Sequence, residues 1–258
     1  MRVVALGGSA AGPNTGAGCA GFLVTEGGTS VVIDLGPGTL LELRKHVDYR
    51  SLSAIVVSHY HLDHILDLGA LRFLAKYNPV PMDRKIPLYV PPGSCNRFGQ
   101  WGSVFGDQAE NEFLEAVFDI GEYDPSQSYA FGDISICFAR TVHPVPAWAL
   151  RVAGLGGGDF GYTADTGPGA MLDLADFFRD VTLLTSEATE PPDPRPWNGA
   201  RGHLTPAEAG RLATDAGAKT LILTHRWEEL GLELGAAEAQ TTFAGPVMIA
   251  RPGLTVFI

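Results

Sequence analysis

The stretch Ser58-His59-Tyr60-His61-Leu62-Asp63-His64 sits directly after the apolar run Ala54–Val57 and directly before a segment, Ile65–Tyr77, whose apolar positions Ile65, Leu68, Leu71, Phe73 and Leu74 have near-helical spacing. Four side chains that can ligate a metal therefore fall within six residues, at the junction of a strand and a helix. In extended backbone, residues two apart point the same way, so His59 and His61 can converge on one ion. The turn into the helix then redirects Asp63 and His64 towards a neighbouring ion. Packing three imidazoles and a carboxylate together without a metal would bury polar groups with too few partners, so the ligand chemistry points to metal binding.

The other histidines extend the pattern, because the chain has seven in all and three more sit at or just beyond predicted strands. His143 follows Ile134–Val142, His225 ends the strand Thr220–Thr224, and His203 lies in the loop Gly202-His203-Leu204-Thr205-Pro206 before a helix. Asp165 closes Phe160-Gly161-Tyr162-Thr163-Ala164-Asp165-Thr166-Gly167, again a strand running into glycine. Strand ends are where layered folds gather their sites, since the loops there are free to carry ligands. His46, within a predicted amphipathic helix, reads as a structural or surface residue.

Outward from the cluster, strands are predicted at Val3–Leu6, Gly21–Thr25, Ser30–Asp34, Ala54–Ser58 and Pro87–Val90, with a helix at Thr39–His46. The helix Ile65–Tyr77 is stopped by Asn78-Pro79. The middle is less regular: Gly99–Asp107 is polar and glycine-rich and is expected to be mobile, a short helical piece lies around Glu110–Val117, and strands follow near Tyr129–Phe131 and Ile134–Ala139. The last part alternates strand (Asp159–Thr163), helix (Pro168–Phe178), strand (Val181–Thr185), helix (Pro206–Ala216) and strand (Lys219–Thr224). Two β-rich halves with helices outside are implied. Gly7–Gly12 follows a strand but leads into more glycines and another strand instead of a helix, so it reads as a wide β-connection and not a dinucleotide loop. Gly154–Gly158 reads as a hairpin turn.

Bulk properties set the bounds. A length of 258 residues, 45% of them apolar and 18% charged, suits one globular domain spanning 1–258. The N-terminus shows no export signal and no apolar run approaches a membrane span, so a soluble, cytoplasmic protein without a membrane partner is expected. Cys19, Cys95 and Cys137 are odd in number and widely spaced, which argues against a disulfide frame or a thiolate zinc site and suggests buried small side chains. A net charge of -11 disfavours a nucleic-acid partner gripped through its phosphates.

The H-x-H-x-D-H cluster, His143, Thr163-Ala164-Asp165-Thr166-Gly167, Gly202-His203-Leu204-Thr205 and Leu223-Thr224-His225 resemble the metallo-β-lactamase superfamily in order and spacing over nearly the whole chain. Within it the sequence is similar to the branch of ribonuclease Z, arylsulfatase-like hydrolases and atypical class II cyclic-nucleotide phosphodiesterases. The resemblance implies an α+β four-layer αββα sandwich of two mixed β-sheets with helices on the outer faces. It also implies two divalent metal ions, one held by His59, His61 and His143, the other by Asp63, His64 and His225, with Asp165 bridging them and Asp63 contributing to catalysis. Zinc is favoured, since the donors are rich in imidazole and a histidine instead of a glutamate at position 61 weakens a di-iron reading; Mn2+ and Fe2+ are the alternatives. A homodimer is in keeping with related hydrolases.

Two such ions lower the pKa of a shared water towards neutrality and can clamp the attacking and leaving oxygens of an in-line displacement. Two dications less Asp63, Asp165 and a hydroxide leave about +1, so a small anionic substrate suits the site despite the acidic exterior. The resemblance makes His203 the general acid, and Glu187, in Thr185-Ser186-Glu187-Ala188-Thr189, resembles the His-Glu-Ala-Thr stretch of ribonuclease Z with serine in place of its histidine and would orient His203. Ribonuclease Z carries a long tRNA-binding arm between its counterparts of His143 and Asp165, where this chain has 21 residues. A small phosphodiester such as a 3',5'-cyclic nucleotide is therefore the expected substrate. Next come tRNA 3'-end processing and hydrolysis of a sulfate ester, lactone or thioester; outside enzymes stands a metal-holding binding protein without turnover. Tyr60, Trp101, Trp148, Trp197 and Trp227 are candidates for stacking on a base, although loop tryptophans equally serve as packing anchors.

Overall fold

A computed structural model describes residues 1–105, 113–194 and 199–258. The first sheet is built from β1 (Arg2–Ala5), β2 (Phe22–Glu26), β3 (Thr29–Ile33), β4 (Ala54–Val56), β5 (Ile86–Val90) and β6 (Phe118–Glu122), the second from β7 (Tyr129–Phe131), β8 (Ile134–Arg140), β9 (Trp148–Gly154), β10 (Asp159–Tyr162), β11 (Leu183–Glu187), β12 (Thr220–Thr224) and β13 (Val247–Ile249). The last strand, β14 (Thr255–Phe257), returns to the first sheet and pairs antiparallel with β1. In each sheet the strands change from antiparallel to parallel pairing: after β3 in the first, after β10 in the second.

Alternation along the strands explains the layering. On β3, Val31 and Ile33 face the second sheet, where they join Phe22, Val56, Ile136, Leu150, Val152, Phe160 and Tyr162. Val32 points the other way, into a core with Leu23, Ile55 and Leu88. The helices α1 (Thr39–His46), α2 (Leu62–Ile65), α3 (Asp67–Lys76) and α4 (Cys95–Phe105) supply Leu40, Leu43, Leu68, Leu71, Phe98 and Trp101 to that core. On the far side α5 (Met171–Phe177), α6 (Pro206–Asp215) and α7 (Leu232–Ala239) cover Leu184, Leu221 and Leu223 with Leu174, Leu212 and Ala239. Three buried cores thus separate four layers, helix, sheet, sheet, helix, as the αββα expectation required.

Several expectations need correction. Of the stretch predicted as irregular at Gly99–Asp107, residues 99–105 are helix, because Phe98, Trp101 and Phe105 form an apolar stripe that Gly99 and Gly102 obscured, and 106 and 107 lie outside the described residues. Of the helical piece expected around Glu110–Val117, residues 110–112 lie outside the described residues and 113–117 form turns. The helix predicted as Ile65–Tyr77 begins earlier and breaks at Leu66, so Asp63 and His64 lie on α2 itself with His61 as its N-cap. Among the cysteines only Cys19 is buried; Cys95 is partly exposed and Cys137 exposed, and all three are free. No helix among the described residues is long and apolar enough to cross a membrane.

Candidate metal centre

The functional side chains collect at one rim of the sandwich, where β3, β4, β10, β11 and β12 end. His59 and His61 follow β4, His143 follows β8, Asp165 follows β10 and His225 follows β12. An isolated antiparallel bridge between His59 and Ala147, with Trp148 N–H donating to Ser58 O at 3.2 Å, ties the two sheets together here. The rim is held in unusual backbone geometry. Asp34, Ala164 and His225 take left-handed φ of 57°, 51° and 55°, three of the four non-glycine residues that do so among the described residues. Side chains seldom adopt that region unless the surroundings enforce it, and such residues gather at functional sites.

Two groups of donor atoms share Asp165. In the first, His59 Nε2 lies 3.2 Å and His143 Nε2 3.1 Å from His61 Nδ1, and Asp165 Oδ2 lies 3.5 Å from His59 and 3.7 Å from His143. In the second, Asp63 Oδ2 lies 3.0 Å from His225 Nε2 and 3.5 Å from His64 Nε2, and Asp165 lies 3.4 Å from His64 and 3.5 Å from His225. Donors bound to one zinc at about 2.0–2.2 Å in a tetrahedron stand about 3.3–3.6 Å apart, so both groups have the spacing of a coordination shell. His64 Nε2 and Asp165 Oδ1 are buried and make no hydrogen bond. Buried polar atoms without partners are rare, and their convergence here fits a divalent cation. All seven residues predicted as ligands are thus brought together.

The outer faces of the imidazoles are fixed by hydrogen bonds. Ser58 Oγ donates to Asp34 Oδ2 at 2.7 Å and accepts from His59 Nδ1 at 3.0 Å; His64 Nδ1 donates to the same Asp34 oxygen at 2.7 Å; His143 Nδ1 donates to Gly202 O at 3.0 Å. With the proton on Nδ1 of His59, His64 and His143, Nε2 of each turns a lone pair inward, the state a metal requires; His61 instead faces the first group through Nδ1. Asp34 also accepts from Ser58 N–H at 2.7 Å and Tyr162 O–H at 3.0 Å. It is the principal residue the sequence reading missed, although a carboxylate closing the apolar strand β3 is the same signal that identified Asp165.

Electrostatics reinforce the demand for positive charge. Burial works against ionising the carboxyls of Asp63 and Asp165, yet His225 and His64 outweigh it and hold both below the usual range. Burial likewise opposes charge on His64, but Asp165 and Asp34 raise it well above an ordinary imidazole.

His203 stands beside the donors, its ring stacked on His225 at 5.4 Å and edge-on to His143 at 5.0 Å. Its Nδ1 donates to Glu187 Oε1 at 3.0 Å, which puts Nε2 on the opposite side of the ring. Burial lowers the His203 pKa, but the Glu187 carboxylate overrides it and pushes the value up to about 9. Glu187 itself is buried and accepts from the N–H groups of Thr166, Thr189 and Leu204 at 2.9, 3.1 and 3.2 Å. Of the aromatic candidates, Trp101 donates to Tyr60 O–H at 2.7 Å and Trp148 packs on Tyr123 and Arg140, so both are packing anchors. Trp227 is partly exposed, and Trp197 lies outside the described residues.

Residues 29–226 match the Beta-lactamase superfamily domain, and the chain belongs to the metallo-β-lactamase superfamily of hydrolases. It is similar to the probable metallo-hydrolase YhfI of Bacillus subtilis, 31% identical with 98% of each chain covered, and the crystal structure of YhfI superposes with a TM-score of 0.86 over 99% of this chain and 98% of that one. It is also 32% identical to the uncharacterized protein Rv1339 of Mycobacterium tuberculosis, over 96% of this chain and 88% of the relative. The same fold, at 20% identity, occurs in the short form of human tRNase Z, with a TM-score of 0.73 over 100% of this chain and 99% of that one, and in a diphosphatase of the PhnP family, with a TM-score of 0.74 over 100% and 97%.

Proposed function

We propose that the chain is a two-metal phosphodiesterase acting on a small phosphodiester such as a 3',5'-cyclic nucleotide. The observation that carries it is the placement of His203, hydrogen-bonded to Glu187, against two adjoining donor groups. His59, His61 and His143 would hold one ion and Asp63, His64 and His225 the other, with Asp165 between them. Zinc is the metal that suits this imidazole-rich set. When bound, the ions supply Lewis acidity towards a phosphoryl oxygen and activate water for attack.

The chain's own residues provide the rest. Asp34 and Gly202 O orient the imidazoles. His203, held through Nδ1 by Glu187, keeps Nε2 for the leaving oxygen and delivers the proton that an alkoxide needs on departure. Raising its pKa keeps the acid form populated at neutrality. Of residues 144–164, 148–162 form β9, its turn and β10 in the second sheet, so the interval that bears the tRNA-binding arm in ribonuclease Z leaves no length for one here. That favours a small substrate over tRNA, as does the net charge of -11.

The test is release of a 5'-nucleotide from cyclic AMP by zinc- or manganese-loaded protein, beside a precursor tRNA. Turnover of the cyclic nucleotide, abolished by chelation, is expected. Cleavage of the tRNA alone would replace this reading with 3'-end processing, and inactivity towards both would move the substrate to sulfate esters, lactones or thioesters.

A further inference from the structure

Like His59, whose Nδ1 meets the Ser58 hydroxyl, His225 turns its outer nitrogen to a hydroxyl and not directly to a carboxylate or carbonyl. Its Nδ1 lies 2.7 Å from the hydroxyl oxygen of Thr189, a buried side chain just past β11. That hydroxyl also lies 2.8 Å from Glu187 Oε2 and 3.0 Å from His225 O. It has one proton to give and two acceptors competing for it. The carboxylate is the stronger acceptor, because hydrogen bonds to ionised groups are roughly twice as strong as neutral ones. With the proton committed to Glu187, the oxygen lone pairs are left for a donor, and among the described residues that donor is His225 Nδ1–H.

The consequence falls on the other ring nitrogen. His225 Nε2 lies 3.0 Å from Asp63 Oδ2 and 3.5 Å from Asp165 Oδ2, a setting that by itself favours a proton on Nε2 and blocks coordination. An acceptor at Nδ1 is needed to hold the proton away. Resting on the metal-centre reading above, we propose that Thr189 is a positioning residue that locks His225 in its metal-binding tautomer. The direction of its hydroxyl is set by Glu187, whose other oxygen holds His203. One buried carboxylate thus organises both the candidate general acid and, through Thr189, one ligand of the second ion.

The experiment compares Thr189→Val, which keeps the shape and removes the hydroxyl, with Thr189→Ser, which restores it. Zinc content is measured under graded chelator competition without substrate, alongside the melting temperature of the metal-free proteins. Outer-shell changes of this kind weaken metal affinity by about 10–100-fold. Thr189→Val is expected to lose one of its two ions at chelator concentrations where wild type keeps both, while Thr189→Ser stays within a few-fold of wild type. Equal retention by Thr189→Val and wild type would overturn the proposal. So would loss of both ions together with a lowered metal-free melting temperature that serine does not repair, which is the signature of a Thr189 side chain that serves packing and not hydrogen bonding. Because metal is read directly, a wild type that binds two ions yet cleaves no phosphodiester would refute the proposed function and leave this inference standing.

Discussion

At the residue scale, His203 and Asp34 have separate tasks. His203 commits Nδ1 to Glu187 and belongs to neither of the donor groups that share Asp165, so His203→Ala should keep both ions while losing turnover. The loss should reach about 10²–10⁴-fold for a substrate with an alkoxide leaving group. With bis-p-nitrophenyl phosphate, whose leaving group departs without a proton, it should be far smaller. Equal losses on both substrates would remove His203 from the general-acid role. Asp34 has the opposite profile. It accepts four hydrogen bonds and supports both donor groups, through Ser58 and His59 on one side and His64 on the other. Asp34→Asn places N–H groups against donors and should weaken zinc by about 10–100-fold in chelator competition. Unchanged affinity would show that Asp34 serves folding alone.

At the element scale, the turn from β3 into α1 is fitted against the turn that carries Asp63. A Cβ on Gly36 would stand 1.8 Å from Asp63 O, a backbone atom that cannot swing aside. Gly36→Ala should therefore lower stability by about 1–3 kcal/mol and displace α2. Denaturant melts and zinc affinity should fall together; a fall in stability alone would mean that α2 stays in register. This close fit was not legible in the sequence, which shows a glycine but not what approaches it. Elements with clean periodicity, such as α1, β4 and the strand–helix alternation after residue 159, were legible because their apolar positions repeat at the structural period. β6, β9 and α4 were not, since glycine and charge interrupt their patterns and tertiary packing decides them. The candidate donors were legible because imidazoles and carboxylates stand out against apolar strands. The supporting hydroxyls of Ser58 and Thr189 were not, being common residue types whose meaning depends on neighbours distant in sequence.

At the scale of the whole molecule, the donor groups draw on both halves: His59, His61, Asp63 and His64 from the β4–α2 connection and α2 beside the first sheet, His143, Asp165 and His225 from the strand ends of the second. Ions bound here stabilise the folded state by mass action and cross-brace the two sheets at one rim. Chelation should therefore lower the melting temperature, while the three apolar cores keep the metal-free protein folded at room temperature. Calorimetry of metal-free and loaded protein checks this; identical melting temperatures would contradict it. If two ions act together in turnover, titrating zinc into metal-free protein while following cyclic AMP hydrolysis will reveal it. Activity should climb to a plateau at two equivalents per chain. Full activity at one equivalent, or none with two ions bound, would contradict the account.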